Sequence, residues 1–284
     1  MNAIIEMGGT KVNIFTDREL GVFNKSTIST PEPEEFKNYI FLMFKDQTVK
    51  KVILASFGPV SFGSKDYGSI LNTPKTAWRN TNLYGWIKKN ICENTVLVTD
   101  VTLPALGAMK KYKLQNSFFS YVTVGTGIGG CNIFKGNVLQ NEFHPEVGHM
   151  YLEHSDENIC GYHEHCFEGQ TSGKYFSRKY AAQLSEVGAN HPGRLIQLDK
   201  FAKLVYNIYT ALGVEYIVLG GGAITTNMKN QLIENLDKIN NSYLPVLNEK
   251  SIDQRLILDE SPDDLALSGG MHLLDVQNQQ KRSF

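Results

Sequence analysis

Three glycine runs, each placed directly after an apolar strand pattern, constrain the fold of this chain more than any other feature. They are Gly8-Gly9-Thr10-Lys11 after residues 3–5, Gly125-Thr126-Gly127-Ile128-Gly129-Gly130 after residues 120–124, and Gly220-Gly221-Gly222 after residues 216–219. A strand pattern resumes after the first two runs, at residues 12–15 and 131–134. Strand patterns joined through glycine predict β-hairpins at both places.

The rest of the chain alternates apolar strands with helical patterns. A buried strand at 95–99 precedes a helix at 103–111, and apolar residues recur at helical spacing over 195–212. This alternation predicts an α/β fold. The hairpin-like starts at Met1 and Ser120 predict two similar domains with a cleft between them, and 284 residues are enough for about two domains.

Composition excludes several classes of protein. The 28 Lys and Arg residues against 29 Asp and Glu leave a net charge of −1, which gives no reason to expect nucleic acid or a membrane as partner. The N-terminus has no signal-peptide pattern, and no apolar run approaches the roughly 18 residues that cross a bilayer. We therefore expect a soluble, cytoplasmic protein. Its four cysteines are too few and too unevenly spaced for a disulfide scaffold.

The second glycine run matches the G-x-G-x-x-G pattern of dinucleotide-binding proteins. In that motif a helix follows the glycines, whereas here a strand pattern follows and no helix is indicated before residue 140. The first run lacks the spacing of a Walker A loop. The remaining functional interpretation is that backbone N–H groups and Thr hydroxyls of the turns face nucleotide phosphates, with Gly220-Gly221-Gly222 beside the adenosine. For any one run taken alone, glycines that only permit a tight turn are the simpler explanation.

Asp100 stands at the C-terminal end of the buried strand 95–99. Transfer of a phosphoryl group to a hydroxyl needs a carboxylate that accepts the hydroxyl proton, and α/β proteins place such groups at strand ends. From its position alone, Asp100 is also a candidate N-cap for the helix that follows.

Histidines and cysteines cluster between residues 144 and 169. Cys160, His163 and Cys166, joined by His149 from upstream, have the donors and spacing of a closed, four-coordinate structural zinc site. His154 and His165 are alternative ligands. Without a metal ion, the segment would be a buried cysteine pair or a solvated histidine-rich loop. The other two cysteines, Cys92 and Cys131, are predicted to be ordinary apolar residues.

Two carboxylates flank these predicted ligands. Glu146 precedes His149, and Glu168 follows Cys166. A metal ion in this segment would hold both carboxylates rigidly, as a site for sugar hydroxyls requires.

Several segments carry a resemblance that runs nearly end to end. They are Glu6 to Lys11, Ala55-Ser56-Phe57-Gly58-Pro59, Thr73 to Trp78, Thr99-Asp100-Val101, Thr123 to Gly130, His144-Pro145-Glu146-x-Gly148-His149, Cys160-x-x-His163-x-x-Cys166-x-Glu168-Gly169 and Leu219 to Gly222. The chain resembles the ROK family of sugar kinases and regulators, most closely its bacterial zinc-containing fructokinase branch. Many actin-like ATPases share the glycine turns, and the His/Pro/Glu segment with the Cys/His/Cys cluster is more specific.

The resemblance implies a two-domain actin-like (ribonuclease-H-like) ATPase fold with an interdomain active-site cleft. The implied domains are residues 1–116, completed by a C-terminal helix at 268–284, and residues 117–267, with a zinc-binding insertion at 144–169. The implied reaction transfers the γ-phosphoryl of ATP, with Mg²⁺, to a hexose, with fructose as the first choice. Sugar and ATP are the implied partners, and we expect a homodimer.

The resemblance also implies roles for individual residues, with Asp100 as the general base. The other implied site residues are Gly8, Gly9, Thr10, Lys11, Gly125, Thr126, Gly127, Gly129, Gly220, Gly221 and Gly222 for ATP; Gly58, Pro59, Thr102, Glu146, His149 and Glu168 for the sugar; and His149, Cys160, His163 and Cys166 for structural Zn²⁺.

Two positions depart from the family pattern. Thr102 stands where the family usually has Asn, and Ala108 where it often has Glu. Because a hydroxyl replaces an amide that both donates and accepts, the identity of the sugar stays open. The alternatives are a kinase of glucose, mannose or an N-acetylated sugar, and a catalytically inactive sugar-binding or regulatory protein. A sugar-sensing repressor of this family would begin with a helix-turn-helix domain, whereas here a strand begins at Ala3.

Overall fold

A computed structural model describes residues 1–19, 22–184, 186–188 and 190–280. The chain divides into two compact units. The first contains Met1–Tyr112, Gln140–His144 and the chain from Asp263 onward, and the second contains Lys113–Leu139 and Pro145–Pro262. The predicted C-terminal helix extended to residue 284, and residues 281–284 lie outside the described part.

The strands and helices follow one another along the chain as the alternating pattern predicted. The strands are β1 Asn2–Met7, β2 Lys11–Glu19, β3 Val22–Ser29, β4 Lys51–Ser56, β5 Thr95–Thr99, β6 Phe118–Val124, β7 Ile128–Phe134, β8 Asn137–Val138, β9 Tyr216–Gly220 and β10 Leu256–Leu258. The α-helices are α1 Pro33–Phe44, α2 Leu83–Asn90, α3 Thr102–Lys111, α4 Phe167–Thr171, α5 Gly173–Tyr180, α6 Pro192–Leu212, α7 Lys229–Asn240, α8 Glu249–Arg255 and α9 Pro262–Gln280. None of the helices among the described residues has the length and apolar character needed to cross a membrane.

The first unit is built on a five-stranded sheet with the order β3-β2-β1-β4-β5. Strands β1, β2 and β3 are antiparallel neighbours, and β1, β4 and β5 are parallel. Because side chains alternate between the two faces of a strand, Ile5 packs with the apolar residues of α1 and α2, and Ile4 packs with those of α3 and α9. Every residue of β4 is buried as a result, which explains its uninterrupted apolar pattern.

The second unit repeats this arrangement. Its sheet has the order β8-β7-β6-β9-β10, in which β6, β7 and β8 are antiparallel neighbours and β6, β9 and β10 are parallel. Apolar residues of α6 and α7, among them Phe201, Val205 and Leu236, are buried in the core of this unit. The two predicted hairpin starts are thus confirmed as the first hairpins of two sheets with the same strand order.

The second glycine run divides between a turn and a strand. Strand β7 begins at Ile128, so Gly129 and Gly130 pair with β6 rather than forming part of the turn that the pattern predicted. A Cβ atom on Gly130 would lie 2.7 Å from a methyl carbon of Val147. Glycine is therefore needed there because the segment that leads to His149 packs directly on the strand.

Candidate metal centre and active-site residues

The four residues that were predicted to bind zinc lie together in the second unit. One ligand atom from each of His149, Cys160, His163 and Cys166 lies within 4.8 Å of the other three. The Nδ1 atoms of the two histidines are 3.2 Å apart, and the Sγ atom of Cys160 is 3.8 Å from Nδ1 of His149 and 3.6 Å from that of His163. Tetrahedral zinc with its usual bond lengths separates two nitrogens by about 3.3 Å and a nitrogen from a sulfur by about 3.6 Å. The donors and their spacing fit a zinc ion.

Local hydrogen bonds place these donor atoms. His149 ends a short 3₁₀ turn, Val147–His149. The N–H of Cys160 donates to Oδ1 of Asn158 at 2.8 Å. Cys166 is the N-cap of α4, where its Sγ atom accepts the N–H of Gly169 at 3.3 Å. Three separate short structures therefore hold three of the four donor residues in place.

The thiol of Cys166 is buried and must lose its proton to bind a metal ion. Burial raises the pKa of the Cys166 thiol to about 11, so the free thiol stays protonated at neutral pH. A coordinated divalent cation removes that proton and offsets the cost of burying the charge.

The two alternative histidine ligands form a pair of their own. Nδ1 of His154 lies 3.3 Å from Nδ1 of His165, and Nε2 of His154 lies 2.8 Å from Oδ1 of Asp156. Within the described residues, the only group of three or more potential metal ligands is the one at His149, Cys160, His163 and Cys166. The structure therefore groups His149, and not these alternatives, with the cysteines.

Glu168 connects the metal cluster to the second glycine turn. Its Oε2 atom accepts the N–H of Ile128 at 2.8 Å, and its Oε1 atom lies 3.8 Å from Nε2 of His149. A Cβ atom on Gly127 would lie 2.7 Å from Oε2, so a larger residue there would displace the carboxylate. Glu146 is exposed, directly before the 3₁₀ turn. Glu168 and His149 are each about a quarter exposed, so a ligand can reach both.

The second and third glycine runs lie at the same edge of the second sheet. Thr123 of β6 pairs with Gly220 of β9 in a parallel register, so the two strands end side by side. Gly221 has a φ of +98°, and a Cβ atom there would collide with the backbone of Val124. Both runs thus lie at the carboxyl ends of neighbouring strands, which is where α/β proteins bind ligands, and Thr126 and Gly222 are exposed there.

The predicted residues of the first unit gather at the equivalent edge of its sheet. In the parallel registers, Met7 of β1 pairs with Ser56 of β4, and Ser56 pairs with Thr99 of β5. The first glycine turn follows β1, the segment with Gly58 and Pro59 follows β4, and Asp100 follows β5. In the turn, the N–H of Gly8 donates to the carbonyl of Lys11 at 3.0 Å.

A charged network that the sequence did not reveal surrounds this turn. Nζ of Lys11 lies 2.8 Å from Asp263, and Nζ of Lys25 lies 2.6 Å from the same carboxylate. Asn13 donates to Glu6 at 2.8 Å. Burial raises the pKa of the Glu6 carboxyl, whereas hydrogen bonds from the two lysines outweigh burial at Asp263 and lower its pKa. Asp263 is too far along the chain from the turn for any local pattern to have indicated it.

Asp100 and Thr102 lie at the turn from β5 into α3. The N-cap of α3 is Val101, so Asp100 is not the N-cap residue. The N–H of Thr102 donates to Oγ1 of Thr99 at 3.2 Å. The Thr102 side chain is buried, and its hydroxyl lies 2.8 Å from that of Thr99. This contact gives Thr102 a packing role within the turn.

Replacing Thr102 by Val tests whether its hydroxyl has any further role. The change keeps the shape and removes the hydrogen bond to Thr99, so we expect the free energy of unfolding to fall by about 1 kcal/mol. Because that hydroxyl is already bound internally, we expect the KM for the sugar substrate that the resemblance implies to stay within about twofold. A lost hydrogen bond to a substrate raises KM tenfold or more only where that bond exists. Denaturant unfolding and sugar-saturation kinetics measure the two quantities. A KM increase of tenfold would assign the hydroxyl to the sugar.

Comparisons with known proteins agree on a family. The ROK family model matches residues 3–275. A fructokinase from Lactococcus lactis subsp. cremoris is 33% identical over 259 residues, 87% of this chain and 89% of that protein. A fructokinase from Zymomonas mobilis is 31% identical over 259 residues, 84% of this chain and 85% of that protein. A ROK family glucokinase from Streptomyces griseus, solved in complex with glucose and AMPPNP, superposes with a TM-score of 0.71 at 18% identity, covering 96% of this chain and 98% of the other.

The structural likeness and the repeated strand order define the class of fold. Both units carry the same five-stranded sheet, and the superposition extends over nearly the whole chain, which confirms the predicted actin-like, ribonuclease-H-like fold. The chain belongs to the ROK family.

Proposed function

We propose that this chain is an ATP-dependent sugar kinase and that its substrate is fructose. The observation that carries the proposal is the identity of 33% over 87% of the chain with a protein named fructokinase. The glycine turns at the strand ends of both sheets support it, because they offer backbone N–H groups to phosphates. The four-residue metal cluster beside Glu168 supports it as well, because it holds a carboxylate and an imidazole where a ligand can reach them.

In the proposed reaction a sugar hydroxyl attacks the γ-phosphorus of ATP. The Asp100 carboxylate accepts the hydroxyl proton as the bond to phosphorus forms, and ADP leaves with the electron pair of the broken phosphorus–oxygen bond. We propose that the turns Gly8–Lys11 and Gly125–Gly127, together with Gly129 of β7 and Gly220–Gly222, bind ATP through backbone N–H groups and the Lys11 ammonium. Mg²⁺ bound with ATP would neutralise charge on the phosphates.

We propose that the sugar is held by residues of two kinds. Gly58 and Pro59 contact the sugar through their backbone, whereas the side chains of Glu146, His149 and Glu168 bind the sugar hydroxyls. A structural zinc on His149, Cys160, His163 and Cys166 would fix the segment that carries these side chains. With Nδ1 of His149 on the metal, its Nε2 atom is left to carry the proton and faces Glu168 across 3.8 Å.

A panel of sugars tests the substrate. The purified protein is assayed for ADP formation with Mg-ATP and fructose, glucose, mannose or N-acetylglucosamine. We expect kcat/KM for fructose to exceed that for each other sugar by at least about tenfold, the discrimination that one or two well-placed hydroxyl contacts supply. Turnover of another sugar without turnover of fructose would refute fructose as the substrate and leave the proposed kinase activity in place. Sugar binding without turnover of any sugar would favour the inactive sugar-binding protein.

A further inference from the structure

His154 and His165 form an imidazole pair whose geometry repeats that of the candidate metal centre. Their Nδ1 atoms are 3.3 Å apart, with ring centroids 4.9 Å apart and an angle of 58° between the ring planes. For His149 and His163 of the centre the corresponding values are 3.2 Å, 4.9 Å and 49°. Both pairs therefore hold two imidazole nitrogens at about the 3.3 Å separation that a tetrahedral metal ion sets.

Asp156 fixes which nitrogen of His154 carries the proton. Its Oδ1 atom lies 2.8 Å from Nε2 of His154, and a carboxylate can only accept a hydrogen bond. In the neutral ring the proton is therefore on Nε2, and the lone pair of Nδ1 faces His165. Metal-binding histidines usually have such a carboxylate or carbonyl partner on their second ring nitrogen, which orients the ring and makes the ligating nitrogen more basic.

The backbone on both sides of the pair is held in place. The N–H of Leu152 donates to the carbonyl of His165 at 2.8 Å, and Nε2 of Gln170 donates to the carbonyl of Glu153 at 2.8 Å. Binding an ion between the two rings would thus order little additional chain, which keeps the entropic cost low.

Two further carboxylates near the pair, those of Glu153 and Glu157, are engaged with lysines. Glu153 pairs with Lys203 at 2.7 Å, and Glu157 pairs with Lys179. The His154 side chain is 63% exposed, so water would complete the coordination. An ion bound here would exchange with solution far more readily than one in the four-residue centre.

We propose that His154 and His165 bind a second, exchangeable divalent transition-metal ion through their Nδ1 atoms, with Asp156 orienting His154. Imidazole donors suit Zn²⁺, Ni²⁺ and Cu²⁺, and do not suit the Mg²⁺ that accompanies ATP. No step of the proposed kinase reaction uses this site, so its test does not depend on which sugar the protein phosphorylates.

Zinc binding measured on the full chain tests the proposal. The zinc-loaded protein is dialysed against rising concentrations of Zn²⁺, and bound metal is determined by elemental analysis alongside calorimetric titration with Zn²⁺. We expect the wild type to reach two zinc ions per chain, the second bound more weakly. His154→Gln and His165→Gln should each weaken the second ion by at least about tenfold and Asp156→Asn by about tenfold, the usual loss when a ligand or its partner is removed. Glu164→Gln, an exposed change in the same loop, should retain both ions.

Three outcomes would overturn the site. They are a wild type that binds one ion at saturation, a second ion that persists in both histidine variants, and loss of the tightly held ion in those variants, which would make the histidines ligands of the main centre. Thermal unfolding of each variant checks that it is folded, and the two histidine variants serve as independent tests of the same pair.

Discussion

Replacing Asp100 by Asn is expected to lower kcat for sugar phosphorylation by about 10²–10⁴-fold, the usual contribution of a positioned general base. Asparagine keeps the size of the side chain and can no longer accept the hydroxyl proton. The backbone of Asp100 stays in place, because its N–H donates to the carbonyl of Ser56 at 3.0 Å and the N–H of Thr102 donates to the Thr99 hydroxyl at 3.2 Å. We therefore expect the Kd for the sugar, measured by calorimetry, to stay within about threefold, a difference of under 1 kcal/mol.

The matched control is Asp46→Asn, which removes the same charge from an exposed position of the same unit. Its kcat should equal that of the wild type. If Asp100→Asn retained full turnover, the proposed base would be wrong. If it lost turnover together with its thermal stability, Asp100 would have a structural role, so the melting temperature of both variants is measured with the kinetics.

The sequence predicted the strands that have apolar runs and missed β3, most of whose side chains face solvent. The apolar runs of β4 and β5 identified these strands almost to the residue. Every residue of β4 is buried, and the residues of β5 alternate between buried and half-buried, so neither strand has an exposed polar face. Strand β3 gave no such signal, since most of its side chains are exposed and its conformation comes from pairing with β2. A strand that is ordered by pairing with its neighbour need not show an apolar pattern in its own sequence.

The site divides in the same way between local and distant contacts. Cys160, His163 and Cys166 are close in sequence, so ligand spacing alone indicated the cluster. The contact between Glu168 and the N–H of Ile128, and the pairing of Lys11 with Asp263, join segments far apart in the chain. Residues this far apart in sequence meet only in the folded chain, so no motif spacing could predict their contacts.

Removal of the metal is the second change with a large expected effect. We expect the purified protein to contain about one tightly held zinc ion per chain, and Cys160→Ser to lose it. A structural zinc site contributes directly to folding, so the free energy of unfolding should fall by roughly 4 kcal/mol, at the upper end for single substitutions. For a protein of this size that corresponds to a melting temperature about 8–16 °C lower. Elemental analysis and calorimetry measure both quantities.

Activity should fall in the same variant, since the proposed metal ligand His149 lies beside Glu168 in the proposed sugar site. Cys92→Ser is the matched control, because Cys92 is a buried cysteine of the first unit, outside the metal cluster. That variant should keep its zinc and its KM for the sugar, whatever stability it loses by placing a hydroxyl in the core. Full activity in a metal-free wild type would contradict a structural zinc, and loss of zinc from Cys92→Ser would show that general destabilisation, rather than a missing ligand, releases the ion.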